Sequence, residues 1–184
     1  MNDTHEKIAA GLEHAFASNG FTEIGVDGLR LAAQVSLRTL YKYCPSREDM
    51  VLTALEHRHT RYINYLSEAL PQGDTCSMKA LFERVGSWMA ENASRGCLFH
   101  SAAAAHPEST ALQALLQNHK VEVGDLLAKA TGLSTSRNEL TLLHEGVAHS
   151  WPILGEAAVA SAISLGNLLL QAAEQSSSTS EKSN

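Results

Sequence analysis

The chain has 184 residues, of which 44% are hydrophobic, and this composition excludes an intrinsically disordered protein. Its net charge of −6 excludes a generally basic nucleic-acid-binding protein, so any contact with a nucleic acid must come from a local basic surface. The small number of prolines and the scarcity of alternating β-branched residues favour an all-α fold. Three cysteines at unrelated spacings predict neither a disulfide framework nor a zinc site, as expected of a cytoplasmic protein.

Helix start and stop signals divide the N-terminal part of the chain. Gly20 ends the first helix, because glycine readily adopts the left-handed conformation found just after helices. Ser36 is a good N-cap, and Pro45 ends the helix that Ser36 begins. Ser46 and Asp49 form a capping box at the start of a longer helix. After the first helix, the predicted helices span Val26–Ala33, Leu37–Tyr43 and Arg47–Leu70.

Five further helices are predicted in the rest of the chain. They span Thr75–Ala93, Cys97–Ala105, Pro107–Ala130, Ser136–Trp151 and Gly155–Glu174. A turn at Pro71–Asp74 precedes them, Pro107 lies in a first helical turn, and Ser136 forms a capping box with Glu139. Residues 176–184 are rich in serine and are predicted to be a disordered tail. The prediction is therefore an all-α chain of about nine helices.

The two short helices joined by a tight turn have the arrangement of a helix-turn-helix, whose second helix enters the DNA major groove. From Gly28 to Arg47 the sequence has four basic residues and no acidic one. Arg38 lies near the start of the second helix, where an arginine can read guanine O6 and N7. The other polar side chains can contact phosphates, and Thr39 can alternatively contact a thymine methyl. The predicted DNA-binding residues are Ser36, Leu37, Arg38, Thr39, Tyr41, Lys42, Tyr43 and Arg47. The alternative is a three-helix bundle that binds no nucleic acid.

This segment resembles the DNA-binding domain of the TetR-family transcriptional regulators. The resemblance rests on Gly20-Phe21, Leu29, Ala33, Val35-Ser36, Thr39-Leu40-Tyr41 and Arg47, which match the family's pattern in register. Weaker similarity is found at residues 95–99 and at Leu142–Val147. Four positions depart from the pattern. Gly25 stands where a Ser or Thr commonly caps the second helix, and glycine is a weaker cap. Gln34 replaces the turn glycine and must tolerate a positive φ or adopt another turn. Arg30 replaces a small residue, and Cys44 replaces an aromatic one.

The resemblance implies two functional domains and a mechanism. Residues 1–47 would be the helix-turn-helix DNA-binding domain, residues 48–175 a helical ligand-binding and dimerisation domain, and residues 176–184 the tail. A homodimer formed through the last two helices would bind a pseudo-palindromic operator in double-stranded DNA. A small-molecule effector would release it, which is the behaviour of a repressor.

Aromatic and polar side chains in the C-terminal part are candidates for an effector pocket, because aromatics with a few polar groups between helices are typical of such pockets. The predicted ligand-binding residues are Trp88, Met89, Phe99, His100, His119, His144 and Trp151. For each of them the alternative is an ordinary core residue. No arrangement of nucleophile and base is present, and the histidine spacings do not form a metal motif. We therefore expect no catalytic residues, no metal and no cofactor.

The last two predicted helices indicate self-association. Small and aliphatic residues lie on more than one face of residues 155–174, and a helix that is apolar nearly all round must be covered on both sides. A two-fold dimer would supply that cover, whereas the alternative is a core within one chain. The polar start of the sequence predicts no signal peptide, and no membrane span is expected. Two other functions stay open, namely a TetR-like ligand-binding or protein-interaction module that has lost DNA binding, and a helical enzyme.

Overall fold

The computed structural model describes residues 3–68 and 75–181. Over these residues it contains nine α-helices, one short 3-10 helix and no strand, which confirms the all-α prediction. The α-helices are α1 (Asp3–Asn19), α2 (Val26–Ala32), α3 (Leu37–Tyr43), α4 (Arg47–Ser67), α5 (Met78–Asn92), α6 (Leu98–Ala105), α7 (Thr110–Thr131), α8 (Arg137–Leu154) and α9 (Glu156–Glu181). The predicted turn at Pro71–Asp74 lies outside the described residues.

Several predicted helix boundaries are wrong. Helix α7 begins at Thr110 rather than Pro107, because the Ser109 hydroxyl accepts a hydrogen bond from the backbone N–H of Leu112 and caps the helix there. Ser136 makes no side-chain cap, since it belongs to a 3-10 helix over Ser134–Ser136 that leads into α8.

The end of the chain also differs from its prediction. Helix α8 continues through Pro152 to Leu154, and the break falls at Gly155, which has a φ of 52°. Helix α9 then runs to Glu181, so residues 176–181 are helical where a disordered tail is predicted. Residues 182–184 lie outside the described residues. Serine is a weak signal for disorder here because it also occurs within helices.

The chain divides into two compact units that do not follow the predicted boundary at residue 47. The first contains Met1–Tyr65 and Cys97–His119, and the second contains Leu66–Gly96 and Lys120–Asn184. In the first unit, side chains of α4 and α6 share one hydrophobic core with the helix-turn-helix. The central members of this core are Ile8, Leu12, Phe16, Leu29, Leu40, Met50, Val51, Leu55, Phe99 and Leu112. The division into functional domains stays a prediction.

Within the first unit, α1 supports α2 at very short range. A Cβ atom added to Gly11 would lie 2.5 Å from the Cα of Ala33 and 2.7 Å from the carbonyl oxygen of Ala32. Those neighbours are backbone atoms that cannot move aside, so only glycine permits this approach. Helix α1 therefore sets the position of α2, the helix that precedes the turn at Gln34.

Within the second unit, α5 packs closely on α9. A Cβ atom added to Gly86 would lie 2.7 Å from Val159 Cγ2, and one added to Gly166 would lie 2.9 Å from Met78 Sδ. This packing buries one face of α9 only. By length and composition alone, residues 156–175 could cross a membrane, and 22% of the most apolar 18 residues of this stretch are buried.

Candidate nucleic-acid interface and effector site

The second helix of the helix-turn-helix, α3, is fixed by a cap and by one buried leucine. The backbone N–H of Thr39 donates to Ser36 Oγ over 3.1 Å, and the hydroxyls of Ser36 and Thr39 lie 2.8 Å apart. This is the cap that the sequence predicts. Leu40 is fully buried and anchors the opposite side of the helix in the core of the first unit. The short helix therefore has a defined inner face and a free outer face.

The outer face of α3 carries most of the predicted DNA-binding residues. Arg38, Tyr41 and Lys42 are exposed and lie three and four residues apart, so they share one side of the helix. Lys42 Nζ lies 5.7 Å from the centre of the Tyr43 ring. Ser36 and Leu37 are also exposed, at the start of the helix. The structure thus places two cations, Arg38 and Lys42, and several hydrogen-bonding groups on the exposed side of α3.

The turn between α2 and α3 keeps the expected geometry although Gln34 replaces glycine. Gln34 adopts a φ of 52°, in the left-handed region. Its N–H donates to the Leu31 carbonyl over 3.0 Å, and the Val35 N–H donates to the Arg30 carbonyl over 3.1 Å. This pair of bonds is a Schellman motif, which needs a left-handed residue at that position. The turn is therefore formed, at the cost of backbone strain.

Two of the four basic residues between Gly28 and Arg47 make contacts within the protein. Arg30 Nε lies 2.7 Å from Asp27 Oδ1, so its charge is paired. Arg47 Nη2 donates to the carbonyl oxygens of Phe21 (2.6 Å) and Ile24 (2.8 Å), and its guanidinium lies over the Phe16 ring. These contacts tie the start of α4 to the loop between α1 and α2. The phosphate contact of Arg47 stays a prediction.

Cys44, which replaces an aromatic residue of the family pattern, is fully buried in the core of the first unit. Its Sγ lies 3.5 Å from the Thr53 hydroxyl, and burial raises the pKa of the thiol. Cys44 therefore acts as a small core residue and does not disturb the end of α3.

The candidate effector residues are divided between the two compact units. In the first, the rings of Phe99 and His119 stack with centres 3.9 Å apart, and His119 Nδ1 lies 2.9 Å from His59 Nδ1. Both rings are buried, whereas His100 is only partly buried. The three predicted residues of this unit thus belong to helices α6 and α7. Phe99 also belongs to the hydrophobic core of the first unit.

In the second unit, His144 belongs to a buried polar cluster. Burial lowers the pKa of His144 and outweighs its hydrogen bond to Glu145, whose carboxylate lies 3.2 Å away. The same carboxylate lies 2.7 Å from Lys120 Nζ. His144 is therefore a neutral hydrogen-bonding group near pH 7. Trp88 and Met89 are buried on α5.

Trp151 is partly buried and lines a cleft of about 480 Å³ in the second unit. Gly86 and Val159 line the same cleft, where α5 and α9 approach each other closely. Its other lining residues are Glu83, Ser87, Ala90, Glu91 and Glu156. Among the candidate residues of this unit, Trp88, Met89 and His144 do not line it. Of the cleft residues, Trp151 is among the predicted ones, whereas the carboxylates of Glu83, Glu91 and Glu156 come from two separate helices and give no pattern in the sequence.

Sequence comparison gives a partial relative. No family model matches the chain. The transcriptional regulator AcuR of Cereibacter sphaeroides is 32% identical over 97 residues, which are 50% of this chain and 43% of that protein. The match therefore spans less than half the length of this curated relative. It indicates that the chain is similar to a transcriptional regulator over half of its own length.

Structure comparison covers nearly the whole chain. A transcriptional regulator from Streptomyces avermitilis has a TM-score of 0.72 at 20% identity, covering 94% of this chain and 99% of that one. The reduced form of NemR from Escherichia coli has a TM-score of 0.70 at 20% identity, covering 89% and 94%. A TetR-family regulator from Streptomyces coelicolor has a TM-score of 0.70 at 19% identity, covering 89% and 92%. The two Streptomyces proteins are transcriptional regulators. The chain has the fold of the TetR family, as the sequence resemblance predicts.

The strain at Gln34 leads to a stability prediction. Gln34→Gly should raise the free energy of unfolding by about 1 kcal/mol, because glycine adopts the left-handed region without a Cβ clash. The matched control is Gln113→Gly on the exposed side of α7, where the same change should lower it by about 1 kcal/mol. Urea denaturation of the three proteins measures both changes. Equal destabilisation by the two substitutions would contradict a left-handed Gln34.

Proposed function

We propose that the protein is a DNA-binding transcriptional regulator whose helix α3 enters the major groove and which acts as a repressor. The observation that carries this proposal is the outer face of α3. Arg38, Tyr41 and Lys42 lie exposed on it, while Leu40 and the Ser36 cap fix the helix from below. The fold supports the same conclusion, because its relatives of known structure are transcriptional regulators.

Within this proposal the side chains of α3 divide into two roles. Arg38 lies in the first turn and has the donor geometry to read guanine in the major groove. Tyr41, Lys42 and Tyr43 contact phosphates, which position the helix but carry no sequence information. Arg47 contributes by fixing the loop that precedes α2, since its Nη2 atom is occupied by two carbonyls. The basic face is local, in keeping with the overall net charge of −6.

The proposal includes a homodimer formed through α8 and α9. These helices expose large apolar side chains, namely Leu142, Ile153, Leu154, Leu165 and Leu168. A Cβ atom added to Gly146 of α8 would meet nothing within 4 Å, so the surface also has room for a close helix approach. Helix α9 is apolar and largely unburied in the single subunit, as expected of a helix that a four-helix interface covers. Cover by a second subunit also accounts for its apolar length in a cytoplasmic protein.

A small-molecule effector completes the proposed mechanism. Two α3 helices of a dimer bind successive major grooves about 34–36 Å apart on a pseudo-palindromic operator. An effector that binds better to a different spacing of these helices lowers operator affinity. The cleft lined by Trp151 combines an aromatic face with carboxylates, and we propose it as the place where the effector binds.

The DNA-binding role is tested by selecting bound sequences from a random DNA pool. Arg38→Ala should weaken operator binding by about 1–3 kcal/mol and relax the preference at one base pair of each half-site. Lys42→Ala should weaken binding to all sequences alike and reduce the salt slope by about one for each α3 bound. The control is Lys79→Ala on α5, an exposed lysine elsewhere on the molecule. The proposal would be refuted if the selection enriched no sequence and the Arg38→Ala and Lys42→Ala variants bound DNA with the same affinity as the Lys79→Ala control.

The dimer is tested at the exposed face of α9. Leu168→Glu should raise the dimer dissociation constant roughly a hundredfold, or about 3 kcal/mol, because it buries an unpaired charge in the interface. Analytical ultracentrifugation over a range of concentrations measures this. Leu31→Glu is the matched control, since Leu31 is similarly exposed but lies on α2. A wild-type protein that sediments as a monomer, or equal effects of both substitutions, would rule out the proposed interface.

The effector role has its own test, which uses the two tryptophans of the chain. A Trp88→Phe variant leaves Trp151 as the single indole fluorophore. Small molecules that stabilise the free protein should change the fluorescence of Trp151 and lower operator affinity by about 5- to 150-fold. By linkage, operator DNA should lower the affinity for such a molecule by the same factor. Molecules that alter the fluorescence and leave operator affinity unchanged would argue against an effector in this cleft.

A further inference from the structure

His57 on α4 lies between two carboxylates of α1, within the first compact unit. Its Nδ1 atom is 2.5 Å from Glu13 Oε2, and its Nε2 atom is 3.0 Å from Glu6 Oε1. An ionised carboxylate has no proton to donate, so both contacts are hydrogen bonds only when both ring nitrogens carry protons. The geometry is therefore that of a charged imidazolium that links α4 to α1 at two points.

The carboxylate of Glu13 is the fixed centre of this cluster. Its side chain is only 4% exposed, and Oε1 accepts hydrogen bonds from Arg58 Nη1 (3.0 Å) and Arg61 Nη1 (2.7 Å). Burial alone would raise the pKa of Glu13, but the hydrogen bond from His57 and the charges of both arginines outweigh it, so the pKa is lowered. Glu13 accordingly stays ionised around neutral pH.

His57 is the member of the cluster that changes charge near neutral pH. The hydrogen bond to Glu13 raises the pKa of His57, with a smaller contribution from Glu6, and together they outweigh the effect of burial. The groups that face the cluster are Glu6 and Glu13 on α1, Arg58 and Arg61 on α4, and Cys97 just before α6, which acts on Arg58. A neutral ring can donate to only one carboxylate, so the other contact is lost on deprotonation.

We propose that His57 is a proton-dependent clamp between α1 and α4, and that it couples the DNA affinity of the protein to pH. When the ring is charged, both carboxylates of α1 are held. When it is neutral, one contact opens and the buried carboxylate of Glu13 loses a positive partner. Helix α1 supports α2 through the close approach at Gly11, so a looser α1 leaves the helix-turn-helix less firmly held. The coupling to DNA rests on the proposed function, whereas the clamp itself does not.

The sign of the pH effect follows from linkage. A group whose pKa is raised by folding stabilises the folded state fully below its unfolded pKa, about 6.5 for histidine. That stabilisation is lost as the pH rises through the raised pKa of the folded state. One linked proton increases the unfolding equilibrium constant by at most about tenfold for each pH unit within this window. The clamp therefore fastens as the pH falls and opens as the pH rises through the raised pKa of His57.

The clamp is tested by chemical denaturation of the full chain at a series of pH values from about 6 to 9. Because other histidines also titrate, the comparison is between wild type, His57→Gln and the control His14→Gln, which alters an exposed histidine of α1. The unfolding constant should rise with pH in wild type and control, approaching tenfold per unit, and the rise should flatten in His57→Gln. An unchanged pH profile in His57→Gln would overturn the clamp.

A milder variant covers the case in which His57→Gln does not fold. Glu6→Gln removes the charge of the outer, half-exposed carboxylate and leaves the contact between His57 and Glu13 in place. It should shift the loss of stability to lower pH, because a positive charge on His57 is then less favoured. A profile that superimposes on that of wild type would contradict the clamp.

The coupling to DNA is measured as operator affinity at constant ionic strength, at about pH 6.5 and pH 8.5. Affinity should fall at the higher pH in wild type and His14→Gln, and fall less in His57→Gln. Equal falls in all three proteins would overturn the coupling. If no protein binds DNA at either pH while unfolding keeps its His57-dependent profile, the proposed DNA-binding function fails and the clamp stands.

Discussion

A buried carboxylate in an all-helical protein imposes a strict constraint, because an ionised group removed from water must be matched by nearby donors and positive charges. Glu13 meets this constraint with His57, Arg58 and Arg61, all from α4. Removing such partners from a buried charge typically costs about 3–5 kcal/mol. The relative position of α1 and α4 is thus set by charge as well as by apolar packing, and the other contacts of the first unit are arranged around this pair of helices.

The helix-turn-helix depends on these two helices from both sides. Helix α1 holds α2 through Gly11, and the first residue of α4, Arg47, holds the loop before α2 through two carbonyls. With both ends fixed, the turn at Gln34 can adopt its left-handed conformation at a cost of about 1–2 kcal/mol. The departures from the family pattern are therefore absorbed by the surrounding structure, and they supply no reason to suppose that DNA binding has been lost.

Local signals predict the caps of the helix-turn-helix correctly but fail at Ser136, which makes no side-chain cap, and contacts between distant residues could not be predicted. The Ser36 cap and the Ser46–Asp49 capping box involve neighbours within three residues, and both form. The contacts of Arg47 join residues more than twenty positions apart, so they could not be predicted from the sequence, and its phosphate contact stays a prediction. One signal was overlooked. Glu13 lies in the apolar stripe of α1, and a charge in that place indicates a buried partner.

The two faces of the molecule that are proposed to bind partners differ in physical character. On α3 the apolar residue Leu40 is buried and the polar and basic groups are outside, which suits a wet, charged DNA surface. On α9 the residues Ala158, Val159 and Ala162 are buried, whereas the larger Leu165 and Leu168 are more than half exposed. Large apolar groups that face outward suit a dry interface with a second apolar surface. The proposed dimer would cover the exposed apolar side chains of α9 and would also supply the second α3 that a two-fold operator requires.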